Sequence, residues 1–408
     1  MSSPVTESSA LANERVKSGG LHVVHMIEAL GPGGAERLLY TNLKHFDPAR
    51  VQSTVFTIFP HETHWREPIE QLGVKVISLN CEGPRQLPSA IKTFRAWLRE
   101  HRPDLIHSHL WAANVVARVA GRLAGVPVVS SIHNPDHEPQ AWTDGADVSQ
   151  RKRHAAKSID RWTARFGNQR LIAVSDYVKQ SAHRHLKFAL ADIELVYNPI
   201  DLDSLSQRPE KSRGEILREC NLPAEALLLL NVARVSPQKG LVYAVRAMPA
   251  ILREFPNAHL LSVGATTDPL WLDQVKRDAE AAGVAERVHI LGARRDVQDF
   301  LAACDLFIFP SLYEGLGIAL IEAMAAGCAC VASSAGPIPE IVQHGRDGIL
   351  VPPADEKALA QAVCALLADD EERKRLGKAA QITARERFEP QQAAERLTQI
   401  YEDIVFKR

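Results

Sequence analysis

The 408-residue chain is too long for one ordinary hydrophobic core, and its 46% hydrophobic and 24% charged residues are those of a folded globular protein. A net charge of −1 gives no case for nucleic-acid binding, although the charge is uneven: +5 over residues 1–200, −6 over the rest, with thirteen of sixteen histidines in the first part. Two halves of opposite sign suggest two different tasks.

Residues 1–20 are polar and Ser-rich without an apolar h-region, and are expected to form a disordered tail instead of a signal peptide. No uninterrupted apolar run approaches the roughly 20 residues of a membrane span. The six cysteines show no Cys-x-x-Cys pair and no zinc spacing. Cys304, Cys328, Cys330 and Cys364 sit in apolar surroundings, which suits a reducing cytosol.

From Leu21 onward, strand-like runs alternate with helical patterns. The predicted strands are Leu21–Ile27, Val51–Phe59, Val74–Leu79, Asp104–His109, Val126–Ile132, Arg170–Val174 and Ile193–Tyr197. After a linker rich in Asp, Ser and Pro at Ile200–Arg213 come Leu227–Val232, His259–Val263, Val288–Leu291, Leu306–Phe309, Cys330–Ala332 and Ile349–Val351. These runs are rich in Val, Ile and Leu without strict alternation, as in strands covered on both faces. Helical connections then imply parallel sheets with right-handed crossovers. The predicted fold class is α/β, with two tandem Rossmann-like doubly wound domains facing each other across a cleft. The expected boundaries are 21–199 and 200–387, with a final segment 388–408. Ligands in such sheets bind at the carboxyl ends of the strands.

The first strand runs into Gly31-Pro32-Gly33-Gly34 and a helix, a glycine loop that departs from the dinucleotide fingerprint. Either a tight turn or an anion site at the helix start fits Gly33 and Gly34. His109 and His133 close successive strands and would face one cleft, whereas His107 is read as a structural residue facing the other way. Residues 151–170 hold seven Arg/Lys and one acid, with Ala155, Ile159, Trp162 and Phe166 spaced as one apolar stripe. The stripe is expected to dock on the first domain, the alternative being contact with an anionic membrane surface. Asp201-Leu202-Asp203 has the Asp-x-Asp form of a metal-binding pair but lies in the linker. It reads as capping or turn chemistry, and no metal is expected.

In the second half, Arg234 and Lys239 flank a Pro-containing turn at a strand's carboxyl end, where two cations could hold a diphosphate and stabilise it as it departs. Arg294 ends another strand, near where a base could lie. The stretch from Pro310 to Gly327 follows a strand, turns through Gly315 and Gly317, and opens a helix. A helix start at Leu316, Gly317 and Ile318 offers unpaired N–H groups to an anion. Glu314 and Glu322 bracket the turn with seven residues between them. A carboxylate inside the apolar helix, as Glu322 is, costs several kcal/mol if buried alone. Sugar hydroxyls would satisfy it.

Gly33-Gly34, His133, Arg234…Lys239, Glu314…Glu322 and Gly336-x-x-Pro339-Glu340, in that order, resemble family 4 of the retaining glycosyltransferases, which have the two-domain GT-B fold. The resemblance covers nearly the whole chain from Leu21. It implies that the first domain binds a glycan or lipid-linked acceptor and the second a nucleotide diphosphate sugar (UDP- or GDP-sugar). Arg234 and Lys239 would grip the diphosphate, Glu314 the sugar hydroxyls and Glu322 the ribose. The N–H groups around Leu316–Ile318 and Gly34 would lie against phosphate, His133 near the transferred sugar, and the base near the Arg294 backbone. The final helix would cross back to the first domain. Pro337 stands where relatives have Gly and lacks an N–H, so no ligand role is assigned to it.

The expected reaction is hexose transfer to an acceptor hydroxyl with the anomeric configuration retained, with no cofactor and no obligatory metal. No carboxylate in these motifs is obviously placed as a covalent nucleophile. A same-face route follows, in which the leaving diphosphate oxygen helps deprotonate the acceptor. A monomer or weak dimer in the cytoplasm, peripheral at the inner membrane face, fits this reading. The competing readings are a GT-B epimerase or hydrolase of nucleotide sugars and a non-catalytic sugar-nucleotide scaffold.

Overall fold

A computed structural model describes residues 20–61, 63–138, 150–167, 170–201, 209–266 and 268–406. The described residues divide into two compact units, one made of those up to Pro199 together with those from Pro390 onward, the other of those from Ile200 to Glu389.

The first unit is a seven-stranded parallel sheet of β1 (Leu21–Ile27), β2 (Val51–Thr57), β3 (Lys75–Ser78), β4 (Leu105–His109), β5 (Val128–Ile132), β6 (Arg170–Ala173) and β7 (Ile193–Leu195), ordered β3-β2-β1-β4-β5-β6-β7. Each run expected to be a strand is one, with ends shifted by no more than two residues. Strand alternation sorts the core into two layers. On β1, Leu21, Val23 and Ile27 face one apolar cluster, which includes Leu39 and Leu43 of helix Gly34–His45 and Leu397, Ile400 and Tyr401 of helix Pro390–Phe406. Val24 and Met26 face the other, with Phe94 of helix Leu87–His101 and Val116 of helix Trp111–Ala124. A parallel sheet buried on both faces needs apolar residues at both parities, which is why these strands read as continuous runs.

The second unit is a six-stranded parallel sheet of β8 (Leu227–Val232), β9 (Ala258–Val263), β10 (Val288–Gly292), β11 (Leu306–Phe309), β12 (Cys330–Ser333) and β13 (Ile349–Val351), ordered β10-β9-β8-β11-β12-β13. In both units the chain runs outward from a central strand, then returns to build the other side. The order therefore reverses between β1 and β4 in the first unit, and between β8 and β11 in the second. Loops leaving the carboxyl ends of those strands diverge and open a crevice, where ligands of doubly wound sheets bind.

One expectation is corrected. Ala155, Ile159, Trp162 and Phe166 do not dock on the first unit; all four are exposed, and helix Gln150–Gly167 instead buries Asp160, Thr163, Ala164 and Gly167. Arg118, fully buried on the neighbouring helix, donates from Nη1 to Asp160 Oδ1 at 2.5 Å and from Nε to Ser130 Oγ at 3.0 Å. Turning the stripe inward would leave the buried Arg118 guanidinium without its carboxylate, at a cost of several kcal/mol. All six cysteines are free thiols.

Candidate functional site

In the second unit, the loops after β8 and β11 are sewn together. Leu312 N donates to Gln238 O at 2.8 Å, and Gln238 Nε2 to Tyr313 O at 3.0 Å. Gly240 sits at φ +63° against the Pro310 carbonyl, where a Cβ would collide with it. This close approach brings Lys239, from one loop, to Glu314, from the other. Lys239 Nζ donates to Glu314 Oε1 at 2.8 Å and to Oε2 at 2.9 Å, with both side chains largely buried.

Arg234 is exposed at the carboxyl end of β8 and has no recorded hydrogen bond or ion pair among the described residues, so its charge is available to an anion. The β11 loop ends at Gly317, whose φ of +107° turns the chain into helix Ile318–Ala325. No side chain caps that helix, Leu316 is buried beneath the turn, and Glu322 is buried one turn on. Arg294, just beyond β10, is held differently. Its guanidinium pairs with Asp296 Oδ2 and Glu219 Oε1, both at 2.6 Å, and lies over the Phe300 ring. Those carboxylates and the ring hold the guanidinium in place.

The first unit has its own group at its switch point. Gly33 and Gly34 are exposed at the start of helix Gly34–His45, again without a side-chain cap. His109 closes β4 and His133 follows β5, and His109 Nδ1 lies 3.1 Å from His133 Nε2, so one ring donates to the other. Desolvation lowers His133 to about 4 and His109 well below the usual histidine value, so this pair is neutral at pH 7. His107 does not face the other way: two residues from His109 on one strand, it shares that face, with ring centroids 4.2 Å apart. Its Nδ1 meets Tyr401 Oη at 2.6 Å and its Nε2 meets Ser131 Oγ at 2.8 Å, which satisfies it within the fold.

Among the described residues one group could hold a metal ion, His25, His107 and His109, all buried, with ligand atoms within 4.8 Å of one another. A tetrahedral shell with bonds of about 2.1 Å needs nitrogens about 3.4 Å apart. Both His107 nitrogens are already engaged, so the arrangement reads as a hydrogen-bonded core. Asp203 of the Asp-x-Asp pair lies outside the described residues.

Two carboxylates at this switch point escaped the sequence reading. Glu28, just past β1, accepts from Ala112 N at 2.7 Å, which ties the loops after β1 and β4; burial raises its pKa. Asp136 follows His133 by three residues; the residue is exposed to solvent, while its carboxyl is turned in among protein atoms. The protein packed around its carboxyl pushes it up to about 6, with Asp160 and Glu28 adding to the rise and His137 opposing it. An acid just after a strand end was the available signal for each.

Two family models tile the chain: glycosyltransferase family 4 over residues 32–204 and glycosyl transferases group 1 over residues 212–383. Glycogen synthase of Mycobacterium tuberculosis is 30% identical over 76% of this chain and 70% of its own. This chain is a family 4 glycosyltransferase. The UDP-Gal:alpha-D-GlcNAc-diphosphoundecaprenol alpha-1,3-galactosyltransferase of Escherichia coli is 26% identical over 68% of this chain and 70% of that one. Among solved structures, Anabaena HepE in complex with UDP-glucose matches 93% of this chain and all of its own at a TM-score of 0.79 and 23% identity. At that identity the likeness shows the fold, GT-B, and this glycosyltransferase has it.

Proposed function

We propose that this glycosyltransferase moves a hexose from a nucleoside diphosphate sugar, UDP-sugar in the first place and GDP-sugar in the second, to a hydroxyl of a glycan or lipid-linked acceptor, with retention and without an obligatory metal. The observation that carries the donor assignment is the Lys239–Glu314 pair at the switch point of the second unit, with the exposed Arg234 on the same loop as Lys239. A lysine has three donors. Lys239 can keep one on Glu314 while presenting another to a phosphate oxygen, and Glu314 keeps lone pairs for sugar hydroxyls.

Arg234 and Lys239 neutralise the diphosphate as the glycosidic bond breaks, and the uncapped start of helix Ile318–Ala325 faces the same charge. Glu322 takes the ribose hydroxyls, and the backbone at Arg294 the base. In the first unit, Gly33–Gly34 and the neutral His109–His133 pair form the acceptor end. The acceptor proton passes to the departing phosphate oxygen on the face the sugar leaves. The names of relatives that use UDP-galactose or were solved with UDP-glucose favour uridine. A cytosolic setting suits six free thiols.

Thermal unfolding with UDP, GDP and ADP tests the donor: the matching nucleotide at a hundred times its Kd adds about 2.7 kcal/mol. Arg234→Ala, Lys239→Ala and Glu322→Ala should each lower turnover by roughly 10² or more. Wild-type turnover in all three ends the proposal. Product NMR reports the anomeric configuration, and an inverted linkage removes the retaining step.

A further inference from the structure

Among the described residues, helix Gln150–Gly167 is buried along one face. Asp160, Thr163 and Ala164 are buried against helix Trp111–Ala124, locked by the Arg118–Asp160 pair, and Gly167 lies so close to Arg118 that a Cβ there would sit 2.7 Å from the Arg118 carbonyl oxygen. With that face committed, the opposite face points away from the unit's core. It carries Ile159, Trp162 and Phe166, exposed by 43%, 60% and 44%. The Trp162 and Phe166 rings stack at 4.9 Å, and the guanidinium of Arg122 lies 5.3 Å over Phe166. Together with Arg161 and Arg165 these rings line a groove of about 530 Å3.

Single exposed apolar side chains are ordinary, but a contiguous patch of this kind marks a contact surface. Its chemistry selects the partner. The helix has six Arg/Lys, and its one acid, Asp160, is turned inward. Arg161, Arg165 and Arg122 lie beside the rings on the exposed side. Aromatic rings flanked by guanidinium groups match the boundary between anionic headgroups and acyl chains, where the rings enter the apolar layer and the cations reach the phosphates. A second copy of the chain fits worse, since a two-fold contact would set the same basic patch against itself.

We infer that the exposed face of helix Gln150–Gly167 is a docking surface for an anionic lipid membrane, on which the protein lies without crossing it. No helix among the described residues is long and apolar enough to cross a membrane. The inference does not rest on the transferase reading.

Flotation of the full chain with vesicles tests it, comparing phosphatidylcholine alone with phosphatidylcholine–phosphatidylglycerol mixtures at low and high salt. The expected result is binding to the phosphatidylglycerol vesicles that salt weakens. Trp162→Ser with Phe166→Ser should lower the partition coefficient by roughly tenfold or more. Arg161→Glu with Arg165→Glu should abolish the preference for phosphatidylglycerol. Both variants alter exposed residues, so an unchanged melting temperature verifies their fold, and nucleotide-induced thermal shifts remain a separate readout of the donor site. Equal binding to both vesicle types, or wild-type binding by the folded variants, overturns the inference. A dimer in light scattering that the aromatic variant dissolves, with no vesicle binding, overturns it in favour of a second copy.

Discussion

The Lys239–Glu314 pair has two roles that substitution can separate. Both side chains are largely buried, at 15% and 7% exposure, so removing the lysine strands a carboxylate. Losing one partner of a buried pair costs about 3–5 kcal/mol, whereas replacing both by apolar groups of similar volume is often close to neutral. Lys239→Met should therefore destabilise the second unit, and Lys239→Met with Glu314→Leu should regain most of that stability in urea unfolding. Turnover should stay at least roughly 10² below wild type in both. Recovered activity in the double variant would show that the pair is structural alone. The buried histidines supply a second prediction at this scale. Burial, with His22 nearby, lowers His25 to about 3, while an unfolded histidine titrates near 6.5. The folded chain binds fewer protons, so this stability is complete above about pH 6.5 and is lost as the pH falls toward the folded value. Between pH 7 and pH 5 His25 alone should cost about 2 kcal/mol. His107, His109 and His133, lowered for the same reason, act in the same direction. Denaturant unfolding at the two pH values measures the sum, and His25→Phe should flatten the dependence.

Between elements, the decisive contact is Arg118 with Asp160. The carboxylate also meets His137 Nε2 at 2.8 Å, so one acid holds two elements against helix Gln150–Gly167. Asp160→Ala leaves a fully buried guanidinium uncompensated, for an expected loss of about 3–5 kcal/mol. Asp160→Asn keeps a hydrogen-bond acceptor and should lose less. Urea midpoints of the two variants check the order, and equal losses would mean that charge contributes nothing beyond the hydrogen bond. This contact also rotates the aromatic face outward, so Asp160→Ala should disturb vesicle binding without touching Trp162.

At the scale of the molecule, the first unit is discontinuous in sequence: the chain leaves it after Pro199 and returns at Pro390. Helix Pro390–Phe406 fills part of its core with Leu397, Ile400, Tyr401 and Ile404, and Tyr401 Oη meets His107. Deleting residues 390–408 should therefore unfold the first unit, while residues 200–389 expressed alone should melt cooperatively. Circular dichroism and heat capacity of the two fragments decide this. A cooperative melt from residues 20–199 alone would show that the returning helix is dispensable.

The strands, the glycine turns and the charged residues at strand ends were legible because each is a local pattern: apolar runs, a turn that only glycine makes easily, and a charge where a run stops. Strand order could be argued only as a class. The contacts across it were invisible, so the histidine column was missed: His25 meets His107 and His109 because β1 pairs with β4, more than seventy residues away. The same limit misplaced helix Gln150–Gly167. Its apolar stripe predicts one inward face, but Arg118 and Asp160, 42 residues apart, bury the other. Hydrophobic spacing weighs each side chain by its own transfer energy and cannot register a buried charge pair whose two partners only the fold brings together.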